Sequence, residues 1–250
     1  MDLYFVFVPS SLGNPILQFF GLLLFFPMAH YITKWVGLDG LKGIGLFFHR
    51  GWVKNLFMSI FIGFGFWMVW YGLEFWAGTM NFFGIKPPSE LFMPVVEILI
   101  GFFMGSLIND LLIRGYVMNL LKGKLPIALV FAISILIYAL DDYWYAGFSL
   151  SNILFSIILG LSLTLAFYKT GSIWANTGIH YGLNIAYGLF YGIAGKAGSG
   201  IFIIEETGKA TALTNLLPFI VPGIMFIFVL WGLKFYSKFT DAPVNNSLQL

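Results

Sequence analysis

The residues best suited to chemistry are a few polar side chains inside long apolar segments. They occur at three places in the chain: Asn109, Asp110 and Arg114; Asp141 and Asp142; and His180 and Asn184. An Asp or Arg at the centre of a membrane helix costs about 2.5–3.5 kcal/mol on insertion scales, so such residues usually pair with one another or serve a function. Their retention at helical spacing predicts one buried polar site.

Two of these groups have the spacing of a shared helix face. Asp110 and Arg114 are four residues apart and can form an ion pair, which in the simplest interpretation only makes both charges tolerable. Asn109 is turned about 100° from Asp110 and faces elsewhere. His180 and Asn184 are also four apart, and two donors on one face can stabilise an oxyanion, although a single buried His is more often a core residue.

Each of the adjacent residues Asp141 and Asp142 can either point into the bundle or lie at the membrane interface. We interpret Asp141 as a residue of the interfacial helix end, and we expect Asp142 to point inward. A carboxyl group held in a low-dielectric environment is suited to general-base chemistry near neutral pH. Asp142 is therefore the candidate base.

The amino-acid composition indicates that these polar residues lie in a membrane protein. The 250 residues are 59% hydrophobic and 10% charged, whereas a soluble domain carries about 25% charged residues. The chain is therefore an integral membrane protein with the lipid bilayer as its surroundings. A net charge of +2 does not favour nucleic acid as a partner, and the absence of cysteine excludes disulfides, thiolate metal sites and a cysteine nucleophile.

Segments of about 20 apolar residues predict an all-α, polytopic helical bundle. The predicted spans are seven: 12–33, 55–78, 91–121, 126–146, 150–168, 172–195 and 214–236. We divide the chain into N-terminal helices 1 and 2 (1–90), a core of helices 3 to 6 (91–195), and a loop, helix 7 and polar tail (196–250). The spans place the polar groups of helices 3, 4 and 6 at overlapping depths.

The distribution of Lys and Arg predicts the orientation, because these residues are enriched in cytoplasmic loops. One set of loops and the tail hold nine of them, Lys34, Lys42, Arg50, Lys54, Lys122, Lys124, Lys169, Lys234 and Lys238, and the alternate loops hold three, Lys86, Lys196 and Lys209. We expect the N-terminus outside, the C-terminus in the cytoplasm, and a multi-pass protein of a cell membrane, with a composition that fits a bacterial one.

Three motifs of the core resemble those of the CPBP family, which contains CAAX prenyl endopeptidases and bacteriocin-processing or immunity proteins. The first family motif, Glu-Glu-x-x-x-Arg, corresponds to Asn109-Asp110-Leu-Leu-Ile-Arg114. The second, Phe-x-x-x-His, corresponds to Tyr138-Ala-Leu-Asp-Asp142. The third, His-x-x-x-Asn, is intact as His180-Tyr-Gly-Leu-Asn184. Order and spacing agree over roughly residues 91–195.

The resemblance implies roles for these positions. In the family, the first glutamate and the second-motif histidine are thought to activate water, and the third-motif His and Asn to stabilise the oxyanion. Here Asn109 replaces the glutamate and Asp142 replaces the histidine. An amide does not accept a proton at useful pH, so the family mechanism cannot operate unchanged.

Three functions remain open at this stage. In the first, the protein is a pseudoprotease that binds a peptide or prenylated substrate, for instance in self-immunity. In the second, it is an active endopeptidase in which Asp142, with His180 and Asn184, activates water, or in which Asp110 and Asp142 share a proton. The third is a small membrane transporter. We expect no cofactor and no metal, and the oligomeric state is left open.

Overall fold

The computed structural model describes residues 1–141 and 149–237 of the chain. The helices, in chain order, are α1 (Asp2–Ser11), α2 (Pro15–Trp35), α3 (Gly40–Gly43), α4 (Trp52–Trp76), α5 (Phe92–Leu121), α6 (Ile127–Asp141), α7 (Leu150–Thr170), α8 (Ile173–Tyr191) and α9 (Ala212–Gly232). Two strands accompany them, β1 (Met80–Ile85) and β2 (Phe202–Glu206).

The described helices support a helical membrane bundle, but they do not establish the predicted number of spans. Four helical segments are long and apolar enough to cross a membrane by length and composition: Trp52–Trp76, Phe92–Leu121, Leu150–Thr170 and Ala212–Phe235. Helix α6 is a shorter apolar helix within the described residues. The count of seven spans and the orientation therefore remain predictions, whereas the helical membrane architecture is supported.

Helix α5 corresponds to segment 91–121, which the sequence predicts as the third span, and its hydrogen bonding is irregular in two places. Two stretches of it, Glu97–Gly101 and Leu111–Met118, have the wider π-helical hydrogen bonding. Such stretches within α-helices occur frequently at functional sites. The second stretch begins directly after Asp110 and contains Arg114, so the helix widens where its charged residues lie.

Close contact between α4 and α8 fixes which face of α8 is available for the polar site. A Cβ atom added to Gly182 would collide with the Ile60 carbonyl oxygen, and one added to Gly63 with the Ile179 carbonyl oxygen. Small residues allow the backbones of membrane helices to approach in this way. With this face of α8 packed on α4, the opposite face, which carries His180, is directed toward α5.

The prediction of an all-α fold misses a small sheet. Strands β1 and β2 pair antiparallel, with Met80 opposite Glu206 and an irregularity between Phe82 and Gly84. Both strands lie in segments between the predicted spans. The pairing joins the end of α4 to the segment that follows α8, at the end of the bundle remote from the α7–α8 turn.

Candidate functional site

The polar site is built on the facing sides of α5 and α8, which run antiparallel. The Asn184 amide nitrogen donates to the Ser106 hydroxyl oxygen at 2.9 Å. One turn along both helices, His180 Nδ1 lies 3.4 Å from Asp110 Oδ2. That distance allows an ion pair when the imidazole is protonated, but the two groups are not aligned as a hydrogen bond. We call Ser106, Asp110, Arg114, His180 and Asn184 the polar ladder.

Arg114 is held at the next turn of α5 by two neighbours. Its Nη1 donates to Asp110 Oδ1 at 3.0 Å, as the four-residue spacing predicts. Its guanidinium carbon also lies 4.1 Å from the centre of the Tyr138 ring, in cation–π geometry. Both charged side chains have no exposed surface. The pair therefore compensates two charges that would each be costly alone in a low-dielectric environment.

Tyr138 contacts both Arg114 and His180. Its ring meets the His180 ring edge to face, with centroids 6.1 Å apart. Gly160 of α7 packs against Tyr138 and Ile135 of α6, so the ring is held from the side opposite the ladder. The phenol thus brings α6 to the same cluster as α5 and α8.

Asn109 faces away from the ladder, toward the end of α6. Its amide nitrogen donates to Asp141 Oδ2 at 2.6 Å. Both side chains are buried, each 8% exposed. Asp141 is the last residue of α6, and its carboxylate is buried and bonded within the bundle. Its position at the membrane interface stays a prediction. Asp142, the predicted base, lies outside the described residues.

The donors suited to an oxyanion and the carboxylate that could accept a proton lie in different parts of the site. On the ladder, the His and Asn suited to an oxyanion are directed at Asp110 and Ser106. Away from it, the carboxylate of Asp141 receives a hydrogen bond from the residue that occupies the position of the family's first glutamate. A carboxylate can accept a proton, whereas the amide of Asn109 cannot. The acid–base capacity near this position is thus on α6.

A cavity of about 450 Å³ adjoins Asp141. Its lining is otherwise apolar or aromatic and includes Leu112, Tyr116, Val117 and Leu140. The cavity is open to the outside of the bundle, and its mainly apolar walls with one carboxylate match the composition of ligand sites. The cavity therefore offers an apolar chain access to one end of the polar site.

Several residues of the site were not predicted in these roles. Ser106 and Tyr138 complete the cluster, and Asp141 is the hydrogen-bond partner of Asn109. The spacing of Ser106, Asp110 and Arg114, four residues apart throughout, matches that of His180 and Asn184 and could have indicated Ser106. No comparable periodic signal marks Tyr138 or Asp141.

The polar ladder contains few side chains that could bind a metal. Within residues 1–141 and 149–237, no three His, Cys, Asp or Glu side chains gather in a way that could hold an ion. Asp110 and His180 supply two potential ligands, and Arg114 already neutralises the carboxylate. Zinc sites use three or four protein ligands, so the described residues alone do not form one.

Fold and site together define a multi-helix membrane protein with a buried, charged cluster on three neighbouring helices. Residues 91–186 match the family model described as Rce1-like, Type II CAAX prenyl endopeptidase. This match confirms the resemblance found from the three motifs, and residues 91–186 are similar to that family. The matched segment contains α5, α6, α7 and most of α8, and with them all the residues of the polar ladder.

Comparison with known proteins adds nothing beyond the family. No curated protein matches the chain significantly, and no solved structure does.

Proposed function

We propose that this protein is a pseudoprotease of the CAAX endopeptidase type, which binds a peptide or a lipid-modified peptide in the membrane without cleaving it. The helical core and the buried cluster of the family are retained for binding. The part of the site that would activate water is altered. A role in immunity against a membrane-active peptide would fit such a binding protein.

The observation that carries this proposal is the hydrogen bond from Asn109 to Asp141 at 2.6 Å. The resemblance assigns a water-activating glutamate to the position of Asn109. An amide in that position cannot take the proton from water. The Asn109 nitrogen acts instead as a donor that holds a neighbouring carboxylate.

The remaining polar groups support the same conclusion. The Asn184 amide is bonded to Ser106 at 2.9 Å, and His180 lies against Asp110 at 3.4 Å. Asp110 and Arg114 are paired with each other and have no exposed surface. Oxyanion stabilisation requires donors aimed at the reacting oxygen, whereas these side chains are directed at one another. A compact, ion-paired cluster is what a binding protein tolerates.

The test measures binding and cleavage on the same samples. Purified protein in lipid nanodiscs is incubated with a fluorescent farnesylated peptide, binding is followed by anisotropy, and products are sought by mass spectrometry. We expect saturable binding and no cleavage above the empty-nanodisc control. Cleavage by the unmodified protein that exceeds this control would refute the proposal.

A matched pair of variants links binding to the cavity beside Asp141. Val117 lines the cavity, so Val117→Trp fills part of it and should weaken binding at least about tenfold, a change of about 1.4 kcal/mol. Leu129 is 51% exposed on α6 and does not line the cavity. Leu129→Trp should leave affinity unchanged, which separates loss of the cavity from a general effect of added bulk.

A second candidate function is favoured by one specific observation, the position of Asp141 at the edge of the cavity. In this alternative the protein is an active endopeptidase, and a carboxylate, either Asp141 of α6 or the predicted Asp142, activates water with help from His180 and Asn184. Cleavage that disappears in Asp141→Asn or Asp142→Asn but not in Leu129→Trp would support it. Absence of cleavage in all of these samples would exclude it.

A further inference from the structure

Asn176 stands at a position that extends the polar ladder by one level. It precedes His180 by four residues in α8, as Arg114 follows Asp110 by four residues in α5. The two helices run antiparallel, so one turn along each, about 6 Å, leads from the Asp110–His180 level to Arg114 and Asn176. The register set by the lower levels predicts that these two side chains face each other.

Both side chains are fully buried and incompletely bonded. Each has 0% exposed surface. Within residues 1–141 and 149–237, Nε and Nη2 of Arg114 and both polar atoms of the Asn176 amide have no hydrogen-bond partner. Buried polar atoms in proteins are nearly always bonded, to protein or to ordered water. Four unsatisfied atoms at one level therefore indicate a position for an additional hydrogen-bonding group.

The charge of the surroundings indicates what kind of group this is. The positive charge of Arg114 is already compensated by Asp110 at 3.0 Å. With a neutral imidazole at His180, a second anion would leave an uncompensated negative charge in a buried site, which is strongly unfavourable. A water molecule is neutral, accepts hydrogen bonds from the guanidinium, and can both donate to and accept from the amide. Internal waters typically make about three such bonds.

We propose that Arg114 and Asn176 hold an ordered internal water at the third level of the polar ladder, directly beside the Asp110–His180 pair. This water site goes beyond the proposed function, because the unsatisfied groups require it whether or not the protein cleaves peptides. It also makes Asn176 a residue of the buried cluster. The three motifs that resemble those of the CPBP family do not include Asn176.

Radiolytic hydroxyl labelling of the purified full-length protein tests for this water. Radicals formed from an internal water oxidise the side chains next to it even when bulk solvent is excluded. Tyr138, whose ring lies 4.1 Å from the Arg114 guanidinium, is the reporter. Tyr71 of α4 is the internal reference, because the two tyrosines are similarly buried at 5% and 6% exposure. We expect Tyr138 to be oxidised several-fold faster than Tyr71.

Two variants separate the water site from a general change in the protein. Asn176→Leu removes the amide and should reduce the Tyr138 rate to that of Tyr71. Thr177→Val is the matched control, because Thr177 is also fully buried and has an unbonded hydroxyl, but it lies about 100° around the helix from Asn176. It should leave the Tyr138 rate unchanged.

The outcomes decide the proposal in either direction. Equal oxidation of Tyr138 and Tyr71 in the unmodified protein would overturn it, and so would an unchanged Tyr138 rate in a folded Asn176→Leu variant. If Asn176→Leu does not fold, the comparison of the two tyrosines in the unmodified protein still decides. Peptide binding and cleavage are measured separately, so failure of this proposal is distinguishable from failure of the proposed function.

Discussion

Removal of Arg114 gives the most direct test of the buried cluster. In Arg114→Met the side chain keeps much of its length and apolar contact, but Asp110 loses the cation that lies 3.0 Å from its oxygen. At that distance and an effective dielectric constant of about 20, Coulomb's law gives an attraction of about 5–6 kcal/mol. Breaking a buried ion pair by removing one partner costs about 3–5 kcal/mol, because the other charge remains buried.

The expected result is therefore a loss of about 3–5 kcal/mol in the free energy of unfolding. Steric trapping in bicelles measures this quantity for membrane proteins without heating. The double variant Arg114→Met with Asp110→Leu removes both charges, and it should recover most of the loss. Recovery in the double variant identifies the orphaned carboxylate, rather than the lost contact with Tyr138, as the main cause.

Lys169→Met provides the control for this experiment. Lys169 is an exposed cation whose ammonium lies 5.5 Å from the Tyr168 ring. Exposed charge interactions contribute about 0–1 kcal/mol, so this variant should change stability little. If Arg114→Met were no more destabilising than Lys169→Met, or if the double variant were less stable than the single one, the reasoning about charge compensation would be refuted.

Three other predictions concern packing, a remote hydrogen bond and the altered catalytic half. Gly182→Leu should prevent the contact of α8 with α4 and abolish stable folding, measured by size-exclusion chromatography, whereas Gly65→Ala, with no atom within 4 Å of the added carbon, should be tolerated. Asn55→Leu should cost about 1–3 kcal/mol in the same steric-trapping assay, because it removes bonds of 2.8 and 2.9 Å to the Ser237 backbone. Asn109→Glu combined with Asp141→Asn and Asp142→His restores both family residues, removes the carboxylate that would oppose the new glutamate, and should produce peptide cleavage in the mass-spectrometric assay, whereas Asn109→Glu alone should not.

The pairings within one helix were predictable from the sequence. Asp110 and Arg114 pair because residues four apart share a helix face, and His180 and Asn184 lie on one face for the same reason. The family was recognisable because order and spacing of three motifs agree, even where the residues differ. These inferences depend on helical periodicity, which a single sequence contains.

Contacts between elements distant in the chain were harder to predict from the sequence. The pairing of β1 with β2 joins Met80 to Glu206, and nothing in either segment specifies the other as its partner. The burial of Asp141 was hard to predict for a related reason. A shift of one residue turns a side chain about 100° around a helix, so the inward direction depends on how α6 is rotated against α5. That rotation is set by packing, including the contact of Gly160 with Tyr138.

The exchange at the first motif gives this chain an amide on α5 that binds a carboxylate on α6. The family's motif places two glutamates next to each other on one helix, whereas this chain keeps one acid there, Asp110, and pairs it with Arg114. The second acid of the cluster, Asp141, belongs to α6 and accepts a hydrogen bond from Asn109 across the helix interface at 2.6 Å. Because the bond now joins two helices, Asn109 contributes to their association, and its replacement by glutamate alone would set two carboxylates against each other. Restoration of the family's chemistry therefore has to change α5 and α6 together.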